Sequence, residues 1–201
     1  MYYYGTRTSD FMMDHLRTFY EITGDGAWNS VLEKSYELAD LMQTRYSPAT
    51  GLLPDFIQEI NTAPRPARPG FLEGPFDGQY GYNACRTPWR IATDYLLNGE
   101  PRALEAMERI NAWFRAKAGG DPGRIFDGYT LSGVKTADYD YNALAFVAPL
   151  GVGAMVDEIH QTWLNNIWDL VVNRPLEDED YYGNTLKMLS MIAMSGNWWN
   201  P

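Results

Sequence analysis

The apolar residues of this chain recur at helical spacing in several segments. Two segments carry a single apolar stripe, which indicates helices with one buried face. The stripes consist of Leu32, Tyr36, Leu38, Ala39, Leu41 and Met42, and of Leu104, Met107, Ile110 and Phe114. Residues 143–154 are apolar nearly all round, which is typical of a helix buried on every side. Further helices are predicted over residues 159–173 and 182–195.

Short polar residues and glycines predict where several helices begin and end. Helix starts are predicted near Ser9-Asp10, Asn83 and Asn142, because the side-chain oxygens of Ser, Asp and Asn accept free N–H groups at a helix start. Helix ends are predicted at glycines, since glycine adopts the left-handed conformation at little cost. These glycines are Gly24, Gly99 and Gly196.

The order of inner helix, glycine turn, outer helix and exposed loop recurs along the chain. The loops that leave two outer helices also resemble each other, at residues 51–56 and 123–129. Hairpins of this kind, with an inner and an outer ring, form an α/α toroid. A closed toroid needs about six hairpins, and this chain supplies roughly three. The sequence therefore predicts one all-α domain over residues 1–201, about half of an (α/α)6 barrel.

A long loop interrupts the helical pattern at residues 47–81, which contain six prolines and little periodicity. A connection of this length inside a compact domain is usually functional or disordered. Its end is rich in aromatic residues and contains two acids, Glu73 and Asp77. Glycines near Glu73 permit a tight bend that directs the carboxylate inward. The alternative is an ordinary exposed loop glutamate, because most acids lie on the surface.

Polar and aromatic residues gather at the predicted starts of the inner helices. In a toroid these starts converge on one face and line a groove. Tyrosine offers a flat apolar face with a polar rim, which suits a sugar ring. The alternative is structural: each Asn caps a helix and each Tyr fills a gap between helices. The residues concerned are Asp10, Tyr82, Asn83, Arg86, Tyr141 and Asn142.

Composition narrows the classes of partner. The net charge of −10 repels phosphate backbones, so no nucleic acid is expected. No apolar run is long enough for a membrane span, and no signal peptide is visible at the start, which leaves localisation open. Cys85 is the single cysteine, so an internal disulfide is impossible. No cofactor is expected.

Four adjacent acids at residues 177–180 raise the alternative of a metal site. Hard cations bind ligands that are spaced along a loop and supplemented by carbonyl oxygens. A consecutive run of acids is more typical of a solvated loop. The sequence therefore predicts no metal site.

Several motifs resemble those of glycoside hydrolase family 8, and they occur in family order over nearly the whole chain. They lie at residues 9–11, 23–25, 80–95, 98–103, 127–130 and 181–186. The resemblance implies an α/α toroid of which this chain is the C-terminal portion. It also implies hydrolysis of cellulose, lichenan, xylan or chitosan with inversion at the anomeric carbon. Members of the family are usually secreted.

One departure from the family pattern concerns the general base. Many members carry a basic aspartate where this chain has Asn83, and an amide cannot accept a proton at neutral pH. A subgroup with chitosanases and chitosanase-glucanases also has asparagine there, and uses a glutamate in the preceding loop. The matching residue is Glu73. By resemblance, the substrate-binding residues are Tyr82, Asn83, Arg86, Asp10 and Asn142, although Asp10 stands where the family often has tyrosine.

The second departure concerns the general acid. The family places this glutamate near the start of the full domain, in a motif that has no equivalent here. We therefore expect inverting endo-hydrolysis of a β-1,4-linked polysaccharide (chitosan, lichenan or cellulose), with this chain carrying the general-base half. The alternative is an inactive glycan-binding or structural remnant. An open half toroid also predicts a homo-oligomer or a complementing N-terminal half, because exposed apolar patches usually mark interfaces.

Overall fold

The computed structural model describes residues 4–136 and 141–198. In this part of the chain, α-helices carry most of the regular structure, which confirms the all-α fold class. The helices are α1 (Met13–Thr23), α2 (Ala27–Leu41), α3 (Thr87–Asn98), α4 (Pro101–Ala118), α5 (Leu144–Ala154), α6 (Gln161–Asn173) and α7 (Tyr181–Met194).

The helices form two layers. The inner helices α1, α3, α5 and α7 pack side by side in that order, and α2, α4 and α6 each pack on the inner helix that precedes them. All residues of α5 are buried, because α5 lies in the middle of the assembly between α3, α6 and α7. The predicted apolar stripes of α2 and α4 face the core. The inner row ends at α1 on one side and at α7 on the other.

The predicted helix ends are confirmed. Gly24 and Gly99 follow α1 and α3 with φ of +68° each, and Gly196 follows α7 with φ of +74°. An L side chain is strained at such values, whereas glycine is not. These turns reverse the chain between inner and outer helices or close the last helix.

The predicted helix caps are wrong. The inner helices α1, α3 and α5 start at Met13, Thr87 and Leu144, and none has a side-chain cap from its own N-cap residue. The reason is that Asn83 and Asn142 use their side chains in contacts with distant parts of the chain. Carboxylates from other loops bind the free N–H groups near the starts of α3 and α5 instead.

The long loop contributes two strands to a small sheet that the sequence pattern did not predict. Strands β1 (Gly5–Arg7), β2 (Phe56–Gln58) and β3 (Arg65–Pro66) pair antiparallel in that order. Residues 51–58 are buried, so the prediction of an exposed loop is wrong for this stretch. Strands of two or three residues are too short to show a recognisable alternation, and β1 pairs with residues about 50 positions away.

A polar cluster around Asp94 joins the first two hairpins. Asp94 is fully buried and accepts hydrogen bonds from Arg17 (2.7 and 3.0 Å), Asn98 (2.9 Å) and the Tyr36 hydroxyl. Arg17 also pairs with Glu100. The cluster lies at the glycine-turn end of α3, so it fixes the hairpins at the end away from the start of this helix.

Within the described residues, no helix combines the length and apolar character needed to cross a membrane.

Candidate active site

A cleft of about 540 Å³ lies at the starts of the inner helices, below the end of the long loop. Aromatic contacts show how these starts meet. The Tyr82 ring lies 5.0 Å from the Phe146 ring at the start of α5, and 6.2 Å from the Tyr182 ring at the start of α7. The cleft is lined by Asp55, Glu73, Gly74, Pro75, Phe76, Asp77, Tyr80, Gly81, Tyr82, Asn83, Asp127, Gly128 and Thr136.

Glu73 lies on the wall of this cleft with its side chain 48% exposed. Its Oε1 accepts a hydrogen bond of 2.9 Å from Arg7 Nη2, and its Oε2 accepts one of 2.7 Å from Asn83 Nδ2. Each carboxylate oxygen has two lone pairs, so each can still accept a hydrogen bond from water. Glu73 is therefore held in place by two donors and accessible to a solvent molecule.

Asp77 builds the turn that carries Glu73. Its buried carboxylate accepts hydrogen bonds from the backbone N–H groups of Leu72 (2.7 Å) and Gly74 (2.8 Å), and weaker ones from Glu73 itself. This capping holds the tip of the loop in a single tight turn. The predicted tight bend near Glu73 is present, and Asp77 stabilises it.

Asn83 is oriented by Arg86. A guanidinium group only donates hydrogen bonds, so the atom that meets Arg86 Nη2 at 2.9 Å must be the carbonyl oxygen of the Asn83 amide. The amide nitrogen then faces Glu73. Arg86 also donates to Ser9 Oγ at 2.9 Å. Arg86 does not line the cleft. It contacts the amide oxygen of Asn83, whereas Glu73 contacts the amide nitrogen.

Tyr82 and Asp127 also line the cleft. The Tyr82 hydroxyl donates to Asp127 Oδ2 at 3.2 Å, and the Tyr82 side chain remains accessible. The other carboxyl oxygen of Asp127 is buried without a hydrogen-bond partner among the described residues. Half-exposed Phe76 adds another aromatic surface to the same cleft. Such surfaces suit the faces of sugar rings.

Asp55 adds another carboxyl group at the base of the cleft. Its Oδ1 accepts hydrogen bonds from the backbone N–H groups of Gly81 (3.0 Å), Asn83 (3.1 Å) and Ala84 (2.6 Å). Burial raises the pKa of Asp55 to about 6, and these hydrogen bonds only partly oppose that rise. Repulsion from Glu73 adds a smaller increase.

Besides Arg86, the structure separates two more predicted residues from this cleft. Asp10 is exposed and lies in a neighbouring depression of about 400 Å³, together with Arg7 and Phe71. Asn142 donates to the carbonyl oxygens of Pro122 (3.0 Å) and Ile125 (2.6 Å), and Arg174 donates to its Oδ1 (2.6 Å). These contacts give Asn142 a structural role between loops.

The acids at residues 177–180 are partly structural. The Glu179 side chain is 1% exposed, pairs with Arg174 at 3.1 Å and accepts from the backbone N–H of Leu144 at the start of α5. Asp180 accepts from Gly183 N and caps α7. The prediction of a solvated loop is therefore wrong for Glu179. Across the described ranges, no group of three or more His, Cys, Asp or Glu residues has an arrangement that could hold a metal ion.

Sequence reasoning selected Glu73, Tyr82 and Asn83, which the structure brings together, but it missed other groups of the cleft. Arg7 and Asp55 reach the site through the small sheet, which no periodic pattern indicated. Asp77 was noted only as an acid near Glu73, and Asp127 only as part of the motif at residues 127–130, so the sequence predicted no role for either. Their pairing with backbone N–H groups and with Tyr82 becomes visible only in the fold.

Comparisons with known proteins identify relatives over nearly the whole chain. The family model for glycosyl hydrolases family 8 matches residues 3–196. A beta-glucanase from Niallia circulans is 46% identical over 96% of this chain and 46% of the relative. An endoglucanase from Bacillus sp. (strain KSM-330) is 37% identical over 98% of this chain and 42% of the relative. The chain thus spans about half the length of these curated relatives.

Solved structures also match nearly the whole of this chain and about half of their own length. A beta-1,3-1,4-glucanase from Paenibacillus sp. X4 superimposes with a TM-score of 0.94 at 45% identity, covering 98% of this chain and 51% of that one. Rex8A from Paenibacillus barcinonensis, solved with xylose, superimposes with a TM-score of 0.77 at 20% identity, covering the same shares, and supports the fold alone. The helices described above form about half of an (α/α)6 barrel. The chain belongs to glycosyl hydrolases family 8.

Proposed function

We propose that this chain forms the general-base half of an inverting endo-β-glucanase, with Glu73 as the base. The observation that carries the proposal is the position of Glu73: it lies on the wall of a cleft of about 540 Å³, fixed by Arg7 and Asn83 and open to water. In an inverting reaction, one carboxylate removes a proton from water while a carboxylic acid protonates the leaving oxygen.

Glu73 would deprotonate the water that attacks the anomeric carbon. The proton donor must then lie about 6.5–9.5 Å from Glu73, to leave room for the water between the two carboxyl groups. We assign this acid to the half of the barrel that this chain does not span. Tyr82 and Phe76 would contact sugar rings, since both are half exposed in the cleft.

Mixed-linkage or β-1,4-linked glucan is the favoured substrate. The relatives at 45–46% identity carry the names beta-glucanase and beta-1,3-1,4-glucanase. Chitosan is the second candidate, because four carboxyl groups line the cleft and would attract a cationic glycan. These are Asp55, Glu73, Asp77 and Asp127.

The ends of the inner row would bind the rest of the barrel. On α7, the face opposite the core exposes Tyr181 (87%) and Met188 (63%) beside a cavity of about 640 Å³ that Trp168 also lines. On α1, Ile22 (75%) and Phe19 (41%) are exposed. We assign both faces to contacts with the remaining helices of the toroid. Without that partner, the same apolar faces favour association between copies of this chain.

The experiment uses a chimera in which this chain replaces the matched half of the Paenibacillus sp. X4 glucanase. Reducing-sugar release is measured on lichenan, cellulose and chitosan, for the chimera and for this chain alone. We expect turnover of a β-glucan by the chimera and little by the isolated chain.

A glycan-binding remnant predicts a different outcome in the same assay. The chimera would release no product, and the chain would still be retarded by lichenan or chitosan in affinity electrophoresis. That combination would contradict the hydrolase proposal. Turnover of chitosan alone would retain the mechanism and change the substrate.

A further inference from the structure

The carboxylate of Asp55 holds the turn that leads into α3. One oxygen, Oδ1, accepts the backbone N–H groups of Gly81, Asn83 and Ala84 at 2.6–3.1 Å. Among the described residues, none donates a hydrogen bond to Oδ2, and Asp55 lines the cleft. A single side chain therefore fixes the backbone on both sides of Tyr82 and Asn83.

The same stretch of chain also holds the turn of Glu73. The backbone N–H of Phe56, next to Asp55, donates to the carbonyl of Asp77 at 2.9 Å. Asp77 in turn binds the N–H groups around Glu73. Residues 55 and 56 thus connect the turn that carries Glu73 with the turn that carries Asn83.

Close approach of the two segments depends on Gly81. A Cβ atom added at this position would lie 2.5 Å from Asp55 Oδ2, which no real Cβ contact tolerates. A side chain there would push the carboxylate away from the turn. Gly81 therefore offers a way to displace Asp55 without changing its charge.

Stability alone does not account for a carboxyl group at this position. Burial raises the pKa of Asp55 to about 6, which means that its charged form is disfavoured in the folded protein. The oxygen of an asparagine could accept the same N–H groups without this cost. Perturbed carboxyl groups in clefts are frequent at functional sites, and Asp55 lines this cleft.

We propose that Asp55 is a positioning residue for the general base: it locks the Gly81–Ala84 turn so that the Asn83 amide meets Glu73. This inference rests on the proposed role of Glu73. Asp55 acts through Asn83, whose Nδ2 lies 2.7 Å from Glu73 Oε2. The titratable side chains that interact electrostatically with Asp55 are Glu73, Tyr80, Cys85 and Tyr182.

The test observes the side-chain amide of Asn83 by ¹⁵N–¹H NMR in this chain, with the signals assigned by their loss in Asn83→Ser. In the wild type we expect two well-separated proton signals, and a pH-dependent shift of these signals centred near pH 6 that comes from Asp55. In Asp55→Asn the separation should persist and that shift should vanish. In Asp55→Ala and Gly81→Ala the separation should collapse towards that of a free amide.

Asp157→Ala serves as the matched control, because Asp157 also accepts a backbone N–H, from Ile159, in a loop away from the cleft. It should leave the Asn83 signals unchanged. If Asp55→Ala fails to fold, Asp55→Asn and Gly81→Ala still test the positioning role of Asp55. Unchanged Asn83 signals in Gly81→Ala, or a shift near pH 6 that survives in Asp55→Asn, would overturn the proposal. Hydrolysis that survives Glu73→Gln would contradict the proposed role of Glu73 as the base. It would not change the NMR results expected for the Asp55 and Gly81 variants.

Discussion

The Glu73 carboxylate accepts a 2.7 Å hydrogen bond from the Asn83 side-chain amide. The residue that replaces the familiar aspartate of the family is therefore in direct contact with the residue assigned as its substitute. Arg86 fixes the amide so that its nitrogen, and not its oxygen, faces Glu73. In this site the amide at position 83 is a donor that orients the Glu73 carboxylate.

Replacing this amide with a carboxylate should damage the site. In Asn83→Asp, two carboxylates would meet where a hydrogen bond now exists, and mutual repulsion would displace Glu73. We expect the free energy of unfolding to fall by about 1–2 kcal/mol at pH 7.5, with a smaller loss at pH 4. Urea denaturation measures the change. Asn165→Asp, on the exposed face of α6, controls for the added charge, and an equal loss there would contradict the prediction.

The pH dependence of stability should contain a contribution from Asp55. Its pKa is raised from 3.8 to about 6 in the folded protein, so the folded state holds the proton more tightly and stability falls as pH rises from 3.8 to 6. Asp55→Asn removes this loss. We expect the variant to be more stable than wild type by about 1–3 kcal/mol at pH 7.5, and equal to it at pH 3.5. A variant that is less stable than wild type at pH 7.5 would contradict this account.

Glu100 should contribute with the opposite sign. Hydrogen bonds from Arg102, with further ones from the Arg102 backbone and Arg17, lower the pKa of Glu100 to about 2. Its stabilising contribution is therefore present above pH 4.5 and disappears as pH falls to 2. Glu100→Gln should lower the free energy of unfolding by about 2 kcal/mol at pH 7, and much less at pH 2.5. Glu105→Gln, an exposed partner of Arg109, should change little at either pH.

Self-association should depend on the exposed face of α7. We expect the isolated chain to scatter light as a species larger than its 22.9 kDa mass. Met188→Glu should shift the population towards the monomer, because the Met188 side chain is 63% exposed on the outward face of α7. Ile159→Glu is the matched control, since Ile159 is 62% exposed elsewhere. A monomeric wild type, or equal effects of both variants, would contradict the assignment of this face.

The sequence predicted the helices well because their signals are local. Continuous burial of α5 and the glycines after α1 and α3 follow from apolar periodicity and from backbone preference. The caps were wrong because Asn83 and Asn142 are used across the fold, which local propensity cannot reveal. Glu73 was found through resemblance, whereas Asp55 and Arg7 were missed because the sheet that brings them to the cleft has strands of only two or three residues.

The most direct measurement is the turnover of β-glucan by the chimeric barrel with Glu73→Gln, compared with Glu105→Gln on the outer surface of α4. Glutamine keeps the size of the side chain and cannot take a proton from water. We expect turnover to fall by about 10²–10⁴-fold in Glu73→Gln and to stay unchanged in Glu105→Gln. Turnover in Glu73→Gln that equals that of the parent chimera would contradict Glu73 as the base.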